Sequence, residues 1–284
     1  MQDQNSSKIR QLLAEYRIRL KKDFGQHFLV DKNILDRIVS SGDVTKDDLV
    51  IEIGTGIGSL TRQLAEKAGF VATIEMDEKL IPPAKQYLKD LPNIEIICKD
   101  AMKVDLSKLI ERYGRFEHVK VIANVPYYIT SPLIAKVLES KNKPELIIFT
   151  VQKEVAARIS SPPGKKSYGS FTIFVNFHAK PKIMFNIERA SFLPKPEVDS
   201  SVIRLDVLKK PPVELKDQKL FFRLVHAAFV QRRKMLKNAL VNANIPGTSE
   251  VSIENALKAS AIDGKRRGET LSIEEFAKLS NCFG

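Results

Sequence analysis

No tryptophan occurs in this 284-residue chain, and cysteine occurs only twice, at Cys98 and Cys282. Two cysteines so far apart make neither a disulfide framework nor a metal-ligand spacing, which suits a reducing compartment. The histidines His27, His118, His178 and His226 are scattered, so no metal site is expected. Long apolar runs are missing as well. None reaches the roughly 18 residues needed to span a membrane, and the polar start Met1-Gln-Asp-Gln-Asn-Ser-Ser lacks the apolar stretch of a signal peptide. These absences lead to the expectation of a soluble, cytoplasmic protein. There is no internal repeat and no low-complexity tract.

Acidic residues are scarce relative to basic ones. Lys and Arg total 46 against 34 Asp and Glu, a formal net charge of +12. Such a surplus favours a polyanionic partner, nucleic acid being the commonest, although a generally basic, well-solvated surface has the same charge. Position adds information. From Val207 to the end there are 14 basic and 8 acidic residues, whereas the preceding 206 residues hold 32 and 26, so the tail is the more densely positive part. A second basic stretch holds Lys8, Arg10, Arg17, Arg19, Lys21 and Lys22 against the single acid Glu15.

With 43% hydrophobic residues the chain can bury one large core, or one large and one small. Short, nearly continuous apolar runs recur at Leu49–Ile53, Phe70–Ile74, Ile94–Cys98, Val119–Ala123 and Leu146–Thr150. Such runs fit strands covered on both faces. Amphipathic segments such as Leu60–Ala68 and Lys79–Leu88 lie between them, so a doubly wound α/β sheet is expected. Lys182–Glu188 and Ser201–Leu208 alternate as a strand pair would, while Phe171–His178 is ambiguous between strand and helix. The prolines of Lys209-Lys-Pro-Pro-Val213 read as a domain linker. After it the spacing turns helical over Lys219–Phe229 and Arg232–Asn242, and Ser272-Ile-Glu-Glu275 is a capping-box start. The expected division is residues 1–208, with 1–22 as a basic N-terminal segment, and a helical domain over 209–284.

Glu52-Ile-Gly-Thr-Gly-Ile-Gly58 follows the first strand and opens the first long helix. Its glycines let the backbone turn sharply and approach a ligand. The spacing is Gly-x-Gly-x-Gly, because Ser59 stands where a dinucleotide fingerprint needs its third glycine. The tighter turn resembles the cofactor loop of class I methyltransferases, in which Gly54, Thr55 and Gly56 would face the ligand. Glu75, at the end of the second strand and 19 residues after Gly56, can accept hydrogen bonds from both ribose hydroxyls; Met76 follows it, and Asp77 is a neighbouring alternative. Asp100-Ala101, at the end of the third strand, occupies the place of an adenine-contacting acid, though by itself Asp100 fits a helix cap equally well.

Asn124-Val-Pro-Tyr127 follows the fourth strand, at the strand ends where open α/β sheets bind ligands. The residue types suit methylation of an exocyclic adenine amine. That amine is a poor nucleophile because its lone pair is delocalised into the ring. The Asn124 side-chain carbonyl and the Val125 backbone carbonyl can accept its two N–H groups and localise the pair. Pro126 stiffens the loop and Tyr127 can stack on an extruded base. Alone, the motif also fits an ordinary turn into the helix beginning at Ser131-Pro132.

In this order, Phe24-Gly-Gln-His-Phe-Leu29, the glycine turn, Glu75, Asp100-Ala101, Asn124–Tyr127, Ser167-Tyr-Gly169, Phe192-Leu-Pro-Lys-Pro-Glu-Val-Asp-Ser200 and Phe229-Val-Gln-Arg-Arg-Lys-Met-Leu-Lys-Asn238 closely resemble the ribosomal RNA small-subunit adenine dimethyltransferases, the kasugamycin-resistance family. Val125 departs from the family's usual Leu, but only its carbonyl is needed. The resemblance implies a class I, Rossmann-like methyltransferase fold with a mostly parallel seven-stranded sheet and a small all-α C-terminal domain, and S-adenosyl-L-methionine as cofactor. It implies that Gln26, His27 and Leu29 close over the methionine end of that cofactor and that Phe192 sandwiches the target adenine against Tyr127. Arg232, Arg233 and Lys234, on the C-terminal helices, would contact RNA phosphates. The implied reaction places two methyl groups on each of two adjacent adenosines in the 3′-terminal helix loop of small-subunit rRNA, on an immature 30S-type particle, with the enzyme a monomer. Two other readings share these residues: a large-subunit rRNA adenine methyltransferase of the antibiotic-resistance type, and a non-catalytic ribosome-assembly factor.

Overall fold

The computed structural model describes residues 4–18 and 27–283. The chain divides into two compact units, Met1–Ala156 with Pro181–Val207, and Ala157–Lys180 with Leu208–Gly284.

The first unit begins with α1 (Gln4–Glu15), β1 (Phe28–Leu29) and α2 (Lys32–Ser41). Strand and helix then alternate through β2 (Asp48–Ile53), α3 (Ser59–Lys67), β3 (Phe70–Glu75), α4 (Ile81–Tyr87), β4 (Ile94–Cys98), α5 (Leu106–Arg112), β5 (His118–Asn124), α6 (Thr130–Leu138) and β6 (Leu146–Gln152). After α7 (Lys153–Ile159) and α8 (Ser170–His178) come β7 (Ala179–Ile187), β8 (Phe192–Leu193) and β9 (Ser200–Val207). Local chemistry sets several of these starts: Asp31 accepts from the Asn33 and Ile34 amides at the head of α2, and Asp105 from the Lys108 amide at the head of α5. Each such cap stabilises its helix by about 1 kcal/mol.

Seven strands form one sheet in the order β4-β3-β2-β5-β6-β9-β7. Pairing is parallel from β4 through β6, and β9 runs antiparallel to β6 with Phe149 opposite Ile203. The expected α/β architecture with a seven-stranded, mostly parallel sheet is therefore present. β2, at the centre, is buried at every residue, which is why its sequence reads as an unbroken apolar run apart from Asp48 and Glu52. Leu35, Ile38 and Val39 of α2 and Leu60, Leu64 and Ala65 of α3 pack with Val50, Val71 and Ile122 of the sheet. Burying each such Leu, Ile or Val contributes roughly 1.5–3 kcal/mol. Parallel pairing brings the carboxyl ends of β2, β3, β4 and β5 to one edge, so Ile53, Glu75, Cys98 and Asn124 end their strands together.

A separate two-stranded sheet pairs β1 with β8, Phe28 opposite Leu193 and Leu29 opposite Phe192. It joins two motifs that lie more than 160 residues apart in sequence. α1 buries Ile9 and Leu13 in a cluster with Ile57 of the glycine turn and Leu80.

In the second unit, α8 is followed after the linker by α9 (Gln218–Val230), α10 (Leu236–Asn242), α11 (Glu250–Ala259) and α12 (Ile273–Asn281). Ile173 and Phe177 of α8 share a buried cluster with Phe221, Leu224, Leu240, Leu257 and Phe276. This resolves one ambiguity and corrects one expectation. The ambiguous Phe171–His178 segment is helical, because burial among helices outweighs the strand propensity of its aromatic and β-branched residues. Residues 157–180, assigned by sequence to the sheet domain, pack with the C-terminal helices instead, so the boundary at 208/209 is only one of the crossings. The capping box at Ser272 is formed as expected, with Ser272 Oγ accepting from the Glu275 amide and Glu275 Oε2 from the Ser272 amide.

Candidate active site

The glycine turn leaves β2 with Gly54 at φ +86° and Gly56 at φ +57°, both in the left-handed region that side chains rarely adopt. At Gly56 there is a second constraint: an added Cβ would lie 2.6 Å from the Phe28 ring of β1. The turn is pinned to the next strand. The Gly56 amide donates to Glu75 Oε2 at 2.8 Å and the Asp77 amide to Glu75 Oε1 at 2.9 Å. Each carboxylate oxygen keeps a further lone pair for a ligand hydroxyl. Burial raises the Glu75 carboxyl above its ordinary range, and the Asp77 and Gly56 amides pull it back down. Behind the turn, the Thr55 and Thr73 hydroxyls meet at 2.7 Å.

Phe28, Gly54, Thr55, Gly56 and Glu75 line a cavity of about 280 Å³ at the carboxyl edge of the sheet. Of the sites expected from sequence, His27, Leu29, Gly54, Thr55, Gly56, Glu75, Met76, Asp100, Ala101, Asn124 and Pro126 all face it. Asp100 also uses Oδ1 to accept from the Met102 amide at 2.8 Å, so its turn-capping and cavity-lining positions coincide. Gln26 lies outside the described residues. Val125 is buried, and neither it nor Tyr127 or Phe192 lines the cavity. The Tyr127 hydroxyl meets Ser200 Oγ at 2.7 Å, and its ring stacks on His27 with centroids 5.8 Å apart. Phe192 sits in the core beside Leu29 and Leu35. Sequence reasoning missed Phe28, Lys99, Met102 and Tyr128, which also line the cavity. Phe28 lies within a recognisable motif and Tyr128 directly after one, whereas nothing in the sequence marks Met102.

Asn124 is oriented by the residue that leads into β1. Its Nδ2 donates to the His27 carbonyl at 2.8 Å, which leaves Oδ1 as the acceptor. His27 is itself fixed, Nδ1 donating to the Pro194 carbonyl at 2.7 Å. The two motifs joined by β1 and β8 thus hold the motif that follows β5.

The cavity suits an elongated, amphipathic ligand with a diol and an amine. Carboxylates at Glu75 and Asp100, the left-handed glycine backbone, and apolar walls from Leu60, Met76 and Met102 fit S-adenosylmethionine. A pyrophosphate would meet two carboxylates and, among these linings, the single cation Lys99. Among the described residues there is no cluster of metal-ligating side chains and no helix long and apolar enough to cross a membrane.

The sheet order, the glycine turn and this lining define a class I methyltransferase that uses S-adenosylmethionine. The chain matches the ribosomal RNA adenine dimethylase family over residues 17–279, and it belongs to that family. It is 44% identical over 274 residues to the ribosomal RNA small subunit methyltransferase A of Clostridium botulinum strain Langeland, covering 96% of this chain and 98% of that one. The protein of that name from Bacillus licheniformis is 46% identical over 275 residues, covering 96% and 94%. Among solved structures, a dimethyladenosine transferase from Plasmodium falciparum superposes with a TM-score of 0.76 at 27% identity, over 89% of this chain and 96% of that one. The 23S rRNA methyltransferase ErmE gives 0.71 at 24% identity, over 90% and 99%, which shows a shared fold.

One further expectation is corrected by the hydrogen bonding of the second unit. Arg232, Arg233 and Lys234 are not on a helix: α9 ends at Val230 and α10 begins at Leu236. The Leu236 amide bonds to the Arg266 carbonyl instead of continuing a helical ladder. Arg232 Nη2 donates to the Lys166 and Tyr168 carbonyls and to Glu269. Arg233 and Lys234 are exposed.

Proposed function

We propose that this protein dimethylates the N6 amines of two adjacent adenosines in the 3′-terminal helix loop of small-subunit rRNA, acting in the cytoplasm as a monomer on an immature small subunit. One observation carries the chemistry: the Asn124 amide nitrogen is tied to the His27 carbonyl, and its oxygen is left as an acceptor in the cavity that holds Glu75 and Asp100. The choice of subunit is supported by the naming of relatives 44–46% identical to this chain as small subunit methyltransferases.

In this reading Asn124 Oδ1 and the Val125 carbonyl accept the two amine N–H groups and draw the nitrogen towards tetrahedral geometry. Pro126 fixes the spacing of these acceptors. Glu75 holds the ribose hydroxyls and Asp100 the adenine amine of the cofactor, while Leu29 and His27 cover its methionine end. S-adenosylmethionine supplies a methyl group already activated on a sulfonium. The residues therefore contribute mainly alignment and exclusion of water, and no strong base is called for. The second transfer leaves one N–H to hold, so the site must also accept a methylated amine. A loop is a suitable substrate because its bases are already partly unstacked. Tyr127, whose ring lies against His27, stacks on the target base, whereas Phe192 is buried and backs the site from the core; Arg233 and Lys234 bind phosphates.

Mass spectrometry of rRNA from cells with and without the gene tests the proposal. The expected result is loss of two adjacent N6,N6-dimethyladenosines from the small-subunit rRNA. Loss of a mark from the large-subunit rRNA alone, or no change, overturns it.

A further inference from the structure

The second unit carries a trough that the catalytic reading leaves unused, with a volume of about 720 Å³. One wall is the outer face of α9, where Lys219, Arg223 and His226 follow at helical spacing and Val230, at its end, is 64% exposed. Ala239 of α10 and Ala243 directly after it make the opposite side shallow and smooth. At one end Asn242 Nδ2 donates to Gln231 Oε1 at 3.3 Å, so Asn242 Oδ1 and Gln231 Nε2 remain as an acceptor and a donor without other partners among the described residues. No carboxylate lines the trough, and among the described residues neither Lys219 nor Arg223 makes an ion pair.

A protein helix laid here would have to be acidic and would gain little from an acceptor–donor pair at the trough's end. A nucleotide uses every feature. A base needs a flat apolar slot with polar groups at its edge, and its phosphates need cations alongside. We infer that the trough between α9 and α10 holds an unpaired nucleotide of the RNA substrate, its base on Val230 and Ala243, its edge on Asn242 and Gln231, and its flanking phosphates on Lys219 and Arg223. The inference rests on the reading of RNA as the substrate. It makes the trough an anchor that acts on RNA affinity and leaves the chemical step untouched.

The test uses the full-length protein and a fluorescein-labelled uridine decamer, which has no adenine to enter the catalytic cavity, beside an abasic decamer of equal length. By fluorescence anisotropy the native protein is expected to bind the uridine strand about tenfold more tightly than the abasic one. Val230→Asn with Ala243→Gln, both at exposed positions and neither changing the charge, should erase that difference and keep the salt dependence. Lys219→Glu with Arg223→Glu should weaken both strands and flatten the log–log salt slope by about 0.7 for each phosphate no longer neutralised. S-adenosylmethionine affinity and the circular dichroism spectrum should match the native protein in both variants. Unchanged uridine-strand binding in both overturns the inference, as does weakened binding to intact small subunits with unchanged binding to the free strand, which would indicate a protein partner. Methylation of small-subunit rRNA by the native protein is measured in parallel. Its absence sinks the substrate reading, whereas normal methylation with unaltered strand binding sinks the trough alone.

Discussion

Glu52 precedes the glycine turn and is wholly buried, yet it is a carboxylic acid. Its Oε2 accepts from the Thr61 hydroxyl at 2.6 Å, and its Oε1 has no partner. Burial raises it from an ordinary 4.5 to about 8, the Thr61 and Thr73 hydroxyls pull it down by less, and the nearby Glu75 charge pushes it up. At neutral pH it is therefore held as the neutral acid. Because the folded value lies above the unfolded one, its contribution to stability is complete below about pH 4.5 and is lost as pH rises through about 8. Glu52→Gln keeps the shape and has no proton to lose. The variant's melting temperature should fall less between pH 6 and pH 9 than the native protein's; equal falls would show that Glu52 does not titrate in that window. Asn124 makes a different prediction at the same scale. Asn124→Ala removes one acceptor from the amine and should lower kcat by about 10²–10³-fold while leaving RNA affinity near native. Single-turnover methylation and anisotropy would check this, and near-native turnover would end the proposed role of the amide.

The parallel strands are joined at their amino ends by an ion pair. Lys120 Nζ on β5 lies 2.8 Å from Asp48 Oδ2 on β2, and both side chains are almost wholly buried. Lys120 also donates to the Asp43 carbonyl, and Asp48 accepts from the Thr45 amide. Lys120→Met strands a buried carboxylate and should cost about 3–5 kcal/mol, whereas combining it with Asp48→Leu should recover most of that. Urea midpoints of the single and double variants decide it; a single-variant cost below about 1 kcal/mol would mean the pair is solvated. The apolar runs around these two residues made β2 and β5 readable from sequence, since strands covered on both faces leave an unbroken signal. The glycine turn, Glu75 and Asn124 were readable for a related reason: each ends a strand or follows one directly, so its distance along the chain fixes its place on the sheet edge. What could not be read was set by partners far away in sequence. Pairing of β1 with β8 brings His27 to Asn124 and Phe28 over Gly56, and no local pattern encodes that. Burial of Tyr168, Ile173 and Phe177 with the C-terminal helices decided both the helical state of α8 and its unit, and the α9–α10 turn depends on the carbonyls of Arg266, Lys166 and Tyr168.

For the molecule as a whole, a net charge of +12 draws RNA from any direction, so the position of unpaired cations decides where it settles. Basic residues already committed to the fold do not count towards this. Arg232 is one: its Nη2 sits 2.8 Å from Glu269 and bonds two backbone carbonyls, tying together three segments of the second unit. Arg232→Ala should therefore act on stability, by about 1–2 kcal/mol with screening of its half-exposed head included. The adjacent Arg233 and Lys234 are exposed and make no ion pair among the described residues. Reversing both should leave the melting temperature nearly native and weaken rRNA binding whatever the sequence. It should also reduce the slope of log K against log salt by about 0.7–0.9 for each phosphate no longer neutralised. Because methyl transfer needs only alignment in the cavity of the first unit, kcat at saturating RNA should hold while KM rises. Titrations at several salt concentrations, run beside thermal melts of both variants, separate these effects. If Arg232→Ala flattened the salt slope and the Arg233 and Lys234 reversals left it unchanged, RNA would be meeting the committed arginine, and the assignment of fold and interface in this turn would be reversed.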